Sequence, residues 1–166
     1  MSGAETTLER IKGLLIQQGL TLAVAESATG GRIADRITNI SGSSRYFVGG
    51  VIAYDNRVKV DALGIKEGSL ARWGAVSEAV AKEMADGVRR FLNADIGLAG
   101  TGVAGPTGAT ATKPVGLVYI GVASRRGARA ERHQFSGSRE ENKEAFTRAA
   151  LGMLLRELEL CANGTS

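Results

Sequence analysis

The sequence predicts a single-domain three-layer α/β/α sandwich built on a mixed, mostly parallel β-sheet. Short apolar runs that are typical of buried strands alternate with segments whose apolar residues recur every 3.6 positions, as in a helix. The last two strand-like segments are joined only by a turn at Arg126-Gly127, so we expect one antiparallel pairing. Neither a repeat nor a linker interrupts the 166 residues, and we therefore assign 1–166 to one domain.

Each element follows from its local pattern. Helices are predicted over 4–18, 30–38, 57–63, 67–73, 77–92 and 138–160. Strands are predicted over 21–25, 46–54, 96–101, 115–124 and 131–135. Ser77 is the expected N-cap of its helix, and Ser2 with Glu5 and Ser138 with Glu141 have the spacing of capping boxes.

The composition is that of a soluble globular protein, with 43% hydrophobic and 23% charged residues. No apolar run is long enough to cross a membrane, and the N-terminus lacks the pattern of a signal peptide, so we expect a cytoplasmic protein without membrane contact. With a single cysteine the chain cannot form an internal disulfide. One cysteine and one histidine are also too few for a typical structural zinc site. We expect no metal site and no cofactor, although a magnesium ion held mainly by substrate phosphates stays open.

The net charge of +4 gives only a mild preference for anionic partners. Arginines are concentrated late in the chain, but glutamates lie between them and aromatic residues make up only 5% of the sequence. We therefore favour a solvated helix face over a nucleic-acid surface. We also expect a homo-oligomer, with the apolar segment Tyr46-Phe47-Val48 as a possible interface.

Residues 100–105 match the pattern G-x-G-x-x-G and follow a predicted strand. A dinucleotide fingerprint also needs a helix at this point and an acidic residue about 20 positions later. Pro106 and Pro114 break any helix here, and no acid lies in 120–123. We reject dinucleotide binding and retain a weaker interpretation, in which the glycines present N–H groups to an anion.

The turn after the first strand reads Glu26-Ser27-Ala28-Thr29-Gly30-Gly31. In one interpretation a hydroxyl caps the following helix, while the glycines permit the turn. In another, Ser27 is a nucleophile and the nearby helix N-terminus stabilises an oxyanion. The only histidine, His133, lies in a predicted strand, where packing is the simpler role.

A lysine of lowered pKa could serve as the base for Ser27. The candidates are Lys59, Lys66 and Lys113, and spacing alone does not choose among them. Lys59 follows a strand at the same kind of junction as Ser27. Such junctions line up along the carboxyl edge of an α/β sheet, where Tyr54, Thr101 and the 102–108 loop should also arrive. Lys113, at the far end of this loop, could reach the same cleft.

Several spaced motifs then become recognisable over residues 21–150: AESATGG (25–31), SGSS (41–44), YDNRVK (54–59), GAVSE (74–78), GTGVAGPTG (100–108), KPVG (113–116) and FSGSR (135–139). Together they resemble the CinA C-terminal family, also known as the nicotinamide mononucleotide deamidase family. The resemblance implies a three-layer α/β/α sandwich. It also implies hydrolysis of nicotinamide mononucleotide to nicotinate mononucleotide and ammonia, in pyridine nucleotide salvage.

By this resemblance, Ser27 is the nucleophile and Lys59 the base of a Ser/Lys dyad, with Tyr54 as a supporting catalytic residue. Thr101 and Arg139 also fall at positions that resemble the family's supporting active-site residues. We further expect Thr29, Gly30, Gly31, Ser43 and Gly102 to contact the substrate. In this hypothesis N–H groups near Gly30 and Gly31 hold the oxyanion, and Arg139 with the 100–108 loop holds the phosphate. The family often has cysteine at the position of Ala28 and glycine at that of Ala109. Many relatives carry a preceding domain similar to molybdopterin-cofactor enzymes, and we expect this chain to lack that domain's activity.

Two other hypotheses remain. The same chemistry could act on another small amide. Alternatively, the chain could be a non-catalytic nucleotide- or protein-binding module of the competence and damage-inducible CinA type.

Overall fold

The protein is a five-stranded sheet with helices on both faces, as described for residues 3–164 by a computed structural model. The helices are α1 (Gly3–Gln18), α2 (Arg32–Thr38), α3 (Asn56–Leu63), α4 (Glu67–Trp73), α5 (Glu78–Phe91) and α6 (Arg139–Asn163), with a short 3-10 helix at Ser43–Arg45. The strands are β1 (Leu22–Glu26), β2 (Phe47–Ile52), β3 (Ile96–Gly102), β4 (Leu117–Ser124) and β5 (Gly127–Gln134). No helix in the described range combines the length and apolar character that crossing a bilayer requires.

The sheet has the strand order β2-β1-β3-β4-β5. Strand β1 pairs in parallel with β2 and β3, whereas β3–β4 and β4–β5 are antiparallel. The mixed sheet is confirmed, but the expectation of a single antiparallel pairing is wrong. A parallel neighbour needs a crossover connection, and the 103–116 loop between β3 and β4 contains no helix that could provide one.

The two faces of the sheet differ in side-chain size. Leu22 and Val24 face a core of large apolar residues supplied by α1, α2 and α6. Ala23 and Ala25, on the opposite face, meet a second core supplied mainly by α3 and α5. This arrangement confirms the three layers.

Helix α5 lies very close to this small-residue face. A Cβ atom added to Gly97 of β3 would lie 1.9 Å from Ala85 O, and one added to Gly121 of β4 would lie 2.2 Å from Ala81 O. Both distances are far below van der Waals contact. The absence of a side chain at these glycines is therefore what allows α5 to approach the sheet.

The predicted caps can be compared with the structure directly. Ser77 Oγ accepts a hydrogen bond from Val80 N, and Ser138 with Glu141 forms the predicted capping box at the start of α6. The capping box proposed for Ser2 lies outside the described residues. Strand β5 begins earlier than predicted because its ladder with β4 extends back to the Arg126-Gly127 turn.

Strand β2 forms one edge of the sheet, and the apolar segment predicted as an interface lies at its start. Tyr46 is buried against the core and Phe47 packs partly on it, while Val48 and Ile52 are exposed. Of the three residues proposed as an interface, only Val48 is well placed for one. The homo-oligomer stays a prediction.

Candidate active site

A cleft of about 310 Å³ opens at the carboxyl ends of β1 and β3. This is the sheet edge at which α/β proteins usually bind ligands. Its walls come from the turn after β1, the β2–α3 connection, the 75–76 segment, the loop after β3 and the start of α6. The site residues that line it are Ser27, Tyr54, Lys59, Thr101, Gly102 and Arg139.

Ser27 and Lys59 lie side by side in this cleft. Lys59 Nζ is 3.2 Å from Ser27 Oγ, and it donates hydrogen bonds to Ala53 O at 2.7 Å and to Tyr54 O at 3.2 Å. The first turn of α3 carries the lysine, whose side chain reaches back beneath the end of β2. The pair has the spacing of a nucleophile and its base.

Lys59 is only 1% exposed, which is unusual for a lysine. Burial lowers the pKa of Lys59 because it disfavours the charged ammonium form, and the nearby negative charge of Asp55 partly opposes this effect. The neutral amine, which can accept a proton, is thus easier to populate than in a solvated lysine.

Glu26 explains why an acid precedes Ser27. Its buried carboxylate accepts hydrogen bonds from Thr29 Oγ1 at 2.6 Å, from Ile33 N at 2.9 Å and from Ala34 N at 3.0 Å. The cap of α2 is therefore a carboxylate, and the hydroxyl cap proposed from the sequence is wrong. Ser27 is left to face the cleft.

The same contacts change the expected source of oxyanion donors. The first-turn N–H groups of α2 already donate to Glu26, and Gly30 N donates to Ser27 O at 3.2 Å. Gly31, which is the N-cap of α2, lies beside Ile52. The helix N-terminus is thus occupied from within the protein.

We expect Glu26→Gln to lower the free energy of unfolding by about 1–3 kcal/mol, because a neutral amide replaces a carboxylate that accepts three buried hydrogen bonds. Urea unfolding measures the change. Asp35→Asn, in the same first turn but exposed, is the control and should shift stability by less than about 0.5 kcal/mol. Equal stability of Glu26→Gln and the parent protein would contradict the capping role.

Tyr54 and Arg139 meet at the mouth of the cleft. Arg139 Nη1 donates to Gly105 O at 2.7 Å, and Nη2 donates to Tyr54 OH at 3.3 Å. The Tyr54 phenol therefore contacts Arg139, whereas its backbone carbonyl is the group that contacts Lys59. The contact of Tyr54 with the lysine is thus made by its main chain, while its hydroxyl faces Arg139.

The remaining predicted residues fall into two groups. Thr101 lines the cleft and donates its hydroxyl hydrogen to Ala75 O at 2.8 Å, and Gly102 lines the cleft beside it. Thr29 is buried against Glu26, outside the lining of the cleft. Ser43 precedes β2, whereas Ser27 follows β1. Because these two strands are parallel, Ser43 lies at their amino ends and Ser27 at their carboxyl ends. The structure does not bring Ser43 into the cleft.

Lys66, Lys113 and His133 do not line the cleft with Ser27. Lys66 is the N-cap of α4, and His133 on β5 lies 3.3 Å from Glu131. Lys113 Nζ donates to the carbonyls of Trp73 and Val76, behind the cleft wall. Within 3–164, no cluster of three or more His, Cys, Asp or Glu residues is arranged to hold a metal ion.

Asn142 does not line the cleft, but it hydrogen-bonds to Ala104, which does, and no motif in the sequence singled it out. It is completely buried in α6, where its amide donates to Ala104 O and Gly137 O, both at 3.0 Å, and accepts from Gly137 N at 3.0 Å. It therefore ties the loop after β3 to the segment that leads into α6. Its position among the buried residues of α6 was the feature of the sequence pattern that could have indicated this role.

A model of the CinA C-terminal domain matches residues 4–158. The chain belongs to the CinA C-terminal domain family. A CinA-like protein of Salinibacter ruber is 48% identical over 157 residues, which cover 94% of this chain and 38% of that protein. This chain thus spans about two-fifths of the length of the curated relatives that it matches.

Solved structures of the CinA superfamily have the same fold. The competence/damage inducible protein CihA of Agrobacterium tumefaciens is 38% identical, with a TM-score of 0.88 that covers 96% of this chain and 97% of that one. A CinA superfamily protein from Klebsiella pneumoniae is 30% identical, with a TM-score of 0.90 that covers 95% and 99% of the two chains. These solved structures match the α/β fold of this chain, with its mixed five-stranded sheet.

Proposed function

We propose that this CinA-type chain is an amidohydrolase that converts nicotinamide mononucleotide to nicotinate mononucleotide and ammonia through a Ser/Lys dyad. The observation that carries the proposal is the 3.2 Å contact between Ser27 Oγ and Lys59 Nζ at the base of the cleft. The burial that lowers the pKa of Lys59 supports its role as a base.

In the proposed reaction, neutral Lys59 takes the proton of Ser27 as the Ser27 oxygen forms a bond to the carboxamide carbon. The carbon–nitrogen bond then breaks, and Lys59 returns the proton to the leaving nitrogen, which departs as ammonia. A water molecule, deprotonated by the same lysine, attacks the ester. The ester carbon–oxygen bond then breaks, which releases the carboxylate product, and Lys59 passes the proton that it took from the water to the Ser27 oxygen.

The oxyanion needs donors other than the first turn of α2. We propose the backbone N–H of Ala28, which directly follows the nucleophile and lines the cleft. One such donor is worth about 100- to 1,000-fold in rate. Arg139 is the proposed contact of the substrate phosphate, because only two of its five N–H groups are committed to Gly105 O and Tyr54 OH in the described contacts.

The substrate class can be tested with the wild-type protein. Ammonia release would be measured with nicotinamide mononucleotide, nicotinamide riboside and nicotinamide at equal concentrations. We expect the highest kcat/KM for the mononucleotide, with a loss for the riboside, which lacks the phosphate. Faster turnover of an uncharged amide would overturn the substrate assignment but retain the chemistry.

The alternative is a nucleotide- or protein-binding module without turnover. The names of the relatives refer to competence and damage and state no reaction. Calorimetric titration with nicotinamide mononucleotide, beside an ammonia assay, separates the two hypotheses. Binding without any ammonia from the wild type would support the module.

The pH dependence of kcat/KM should shift in Asp55→Asn. The proposed base must be neutral, so activity rises with pH through the pKa of Lys59, which burial lowers and Asp55 raises. Removing the Asp55 charge should lower that pKa further and move the acid limb of the profile to lower pH. Asparagine retains a side-chain oxygen that can accept the hydrogen bond from Arg57 N, so the N-cap of α3 is kept.

Asp61→Asn is the matched control for this shift, because it removes an exposed carboxylate from the same helix. Its pH profile should overlay that of the wild type. A shift to higher pH in Asp55→Asn would contradict the assignment of Lys59 as the base.

A further inference from the structure

The short segment between α4 and α5 forms one wall of the cleft, to which it contributes Ala75 and Val76. Four consecutive carbonyls, those of residues 73–76, accept hydrogen bonds from side chains. Gly74 O accepts from Ser77 Oγ, and Ala75 O accepts from Thr101 Oγ1, both at 2.8 Å. The position of this wall therefore depends on side chains.

Lys113 supplies the other two of these hydrogen bonds. Its Nζ donates to Trp73 O at 3.2 Å and to Val76 O. Trp73 is the last residue of α4, whose terminal carbonyls lack partners within the helix and favour a cation. The ammonium thus bridges the end of α4 and the start of the wall.

The backbone of Lys113 is itself held in a tight turn. Its N–H donates to Thr110 Oγ1 at 3.1 Å, and Thr110 N donates to Lys113 O at 3.0 Å. This turn belongs to the 103–116 loop, whose first half, 103–108, forms the facing wall of the cleft. Lys113 is therefore a direct link between the two walls.

Lys113 does not line the cleft. It borders a second cavity of about 360 Å³ beyond the wall, together with Trp73 and Tyr119, and its Nζ lies 5.8 Å from the centre of the Tyr119 ring. Any effect of Lys113 on a ligand in the cleft must therefore pass through the wall.

We propose that Lys113 is a positioning residue that holds the 73–76 wall against the 103–116 loop and so sets the fit of the cleft to its substrate. For its effect on turnover, this inference rests on the proposed function. The position of the wall is a property of the protein that can be measured without turnover.

The kinetic test uses Lys113→Met, which keeps an unbranched side chain one atom shorter and removes its donors, and Lys113→Arg, which restores donors. With nicotinamide mononucleotide, we expect KM of Lys113→Met to rise about 10- to 100-fold and kcat to fall by a smaller factor. The reason is that Ala75 and Val76 line the proposed substrate cleft, whereas the described side-chain hydrogen bonds of 73–76 do not involve Ser27 or Lys59. Lys113→Arg should recover most of the wild-type KM.

The second readout is the fluorescence of Trp73, the single tryptophan of the chain. Acrylamide quenching of Trp73 should increase in Lys113→Met and return toward the wild-type value in Lys113→Arg. Lys82→Met is the matched control. Lys82 borders the same second cavity, but its ammonium pairs with Glu78 at 2.7 Å and does not contact the wall carbonyls in the described contacts.

Equal KM and equal quenching in Lys113→Met and the wild type would overturn the proposal. The same KM increase in Lys82→Met would also overturn it, because the effect would then come from lost positive charge. If the wild type releases no ammonia, the proposed function fails, while the quenching comparison still decides whether Lys113 holds the wall.

Discussion

Replacing Lys59 with methionine should reduce kcat/KM for ammonia release from nicotinamide mononucleotide by about 100- to 10,000-fold, the usual contribution of a general base. The reason is that Ser27 Oγ would lose the amine that lies 3.2 Å away. Methionine is apolar and unbranched, so it can occupy the buried space of the Lys59 methylene groups. The carbonyls of Ala53 and Tyr54 would lose a donor, at a cost of about 1–3 kcal/mol of stability for each group.

Lys59→Arg is the matched variant, because a guanidinium keeps the positive charge and the donors but does not deprotonate in proteins. It should be as inactive as Lys59→Met. A thermal melt of both variants shows whether they are folded. Wild-type turnover in folded Lys59→Arg would contradict the role of Lys59 as a base.

Gly97→Ala should cause a large loss of stability. The added methyl would lie 1.9 Å from Ala85 O, so α5 would have to move away from β3. Overpacking of this kind costs about 1–3 kcal/mol and occasionally more. We expect a value of about 3 kcal/mol or above, because the contact is with backbone and not with a side chain that can rotate. Chemical denaturation measures it.

Gly13→Ala provides the comparison. Gly13 lies in the middle of α1, and nothing lies within 4 Å of an added Cβ atom. Alanine is the better helix former, and this variant should gain about 0.5–1 kcal/mol. If Gly97→Ala were as stable as Gly13→Ala, the close approach of α5 to the sheet would be wrong.

The sequence predicted most elements because their signals are local. Apolar periodicity defines the helices, and Ser77 and Ser138 mark helix starts by their hydroxyls. The approach of Ser27 to Lys59 was also predictable, since both follow parallel neighbouring strands at one sheet edge.

The errors arise where tertiary contacts decide the direction of a side chain. Thr29 and Glu26 lie in the turn next to Ser27, yet both point into the protein and complete the start of α2. Ser43 belongs to a motif of the resemblance but precedes a strand whose opposite end forms the cleft. The antiparallel direction of the β3–β4 pairing follows from the lack of a crossover helix in the 103–116 loop that joins the two strands.

The most direct test of the central proposal is the rate of ammonia release from nicotinamide mononucleotide by Ser27→Ala, beside the wild type and Ser43→Ala. We expect Ser27→Ala to lose at least about 1,000-fold in kcat while its melting temperature is retained. Ser43→Ala, at the opposite sheet edge, should keep the wild-type rate. Undiminished turnover by folded Ser27→Ala would contradict the assignment of Ser27 as the nucleophile.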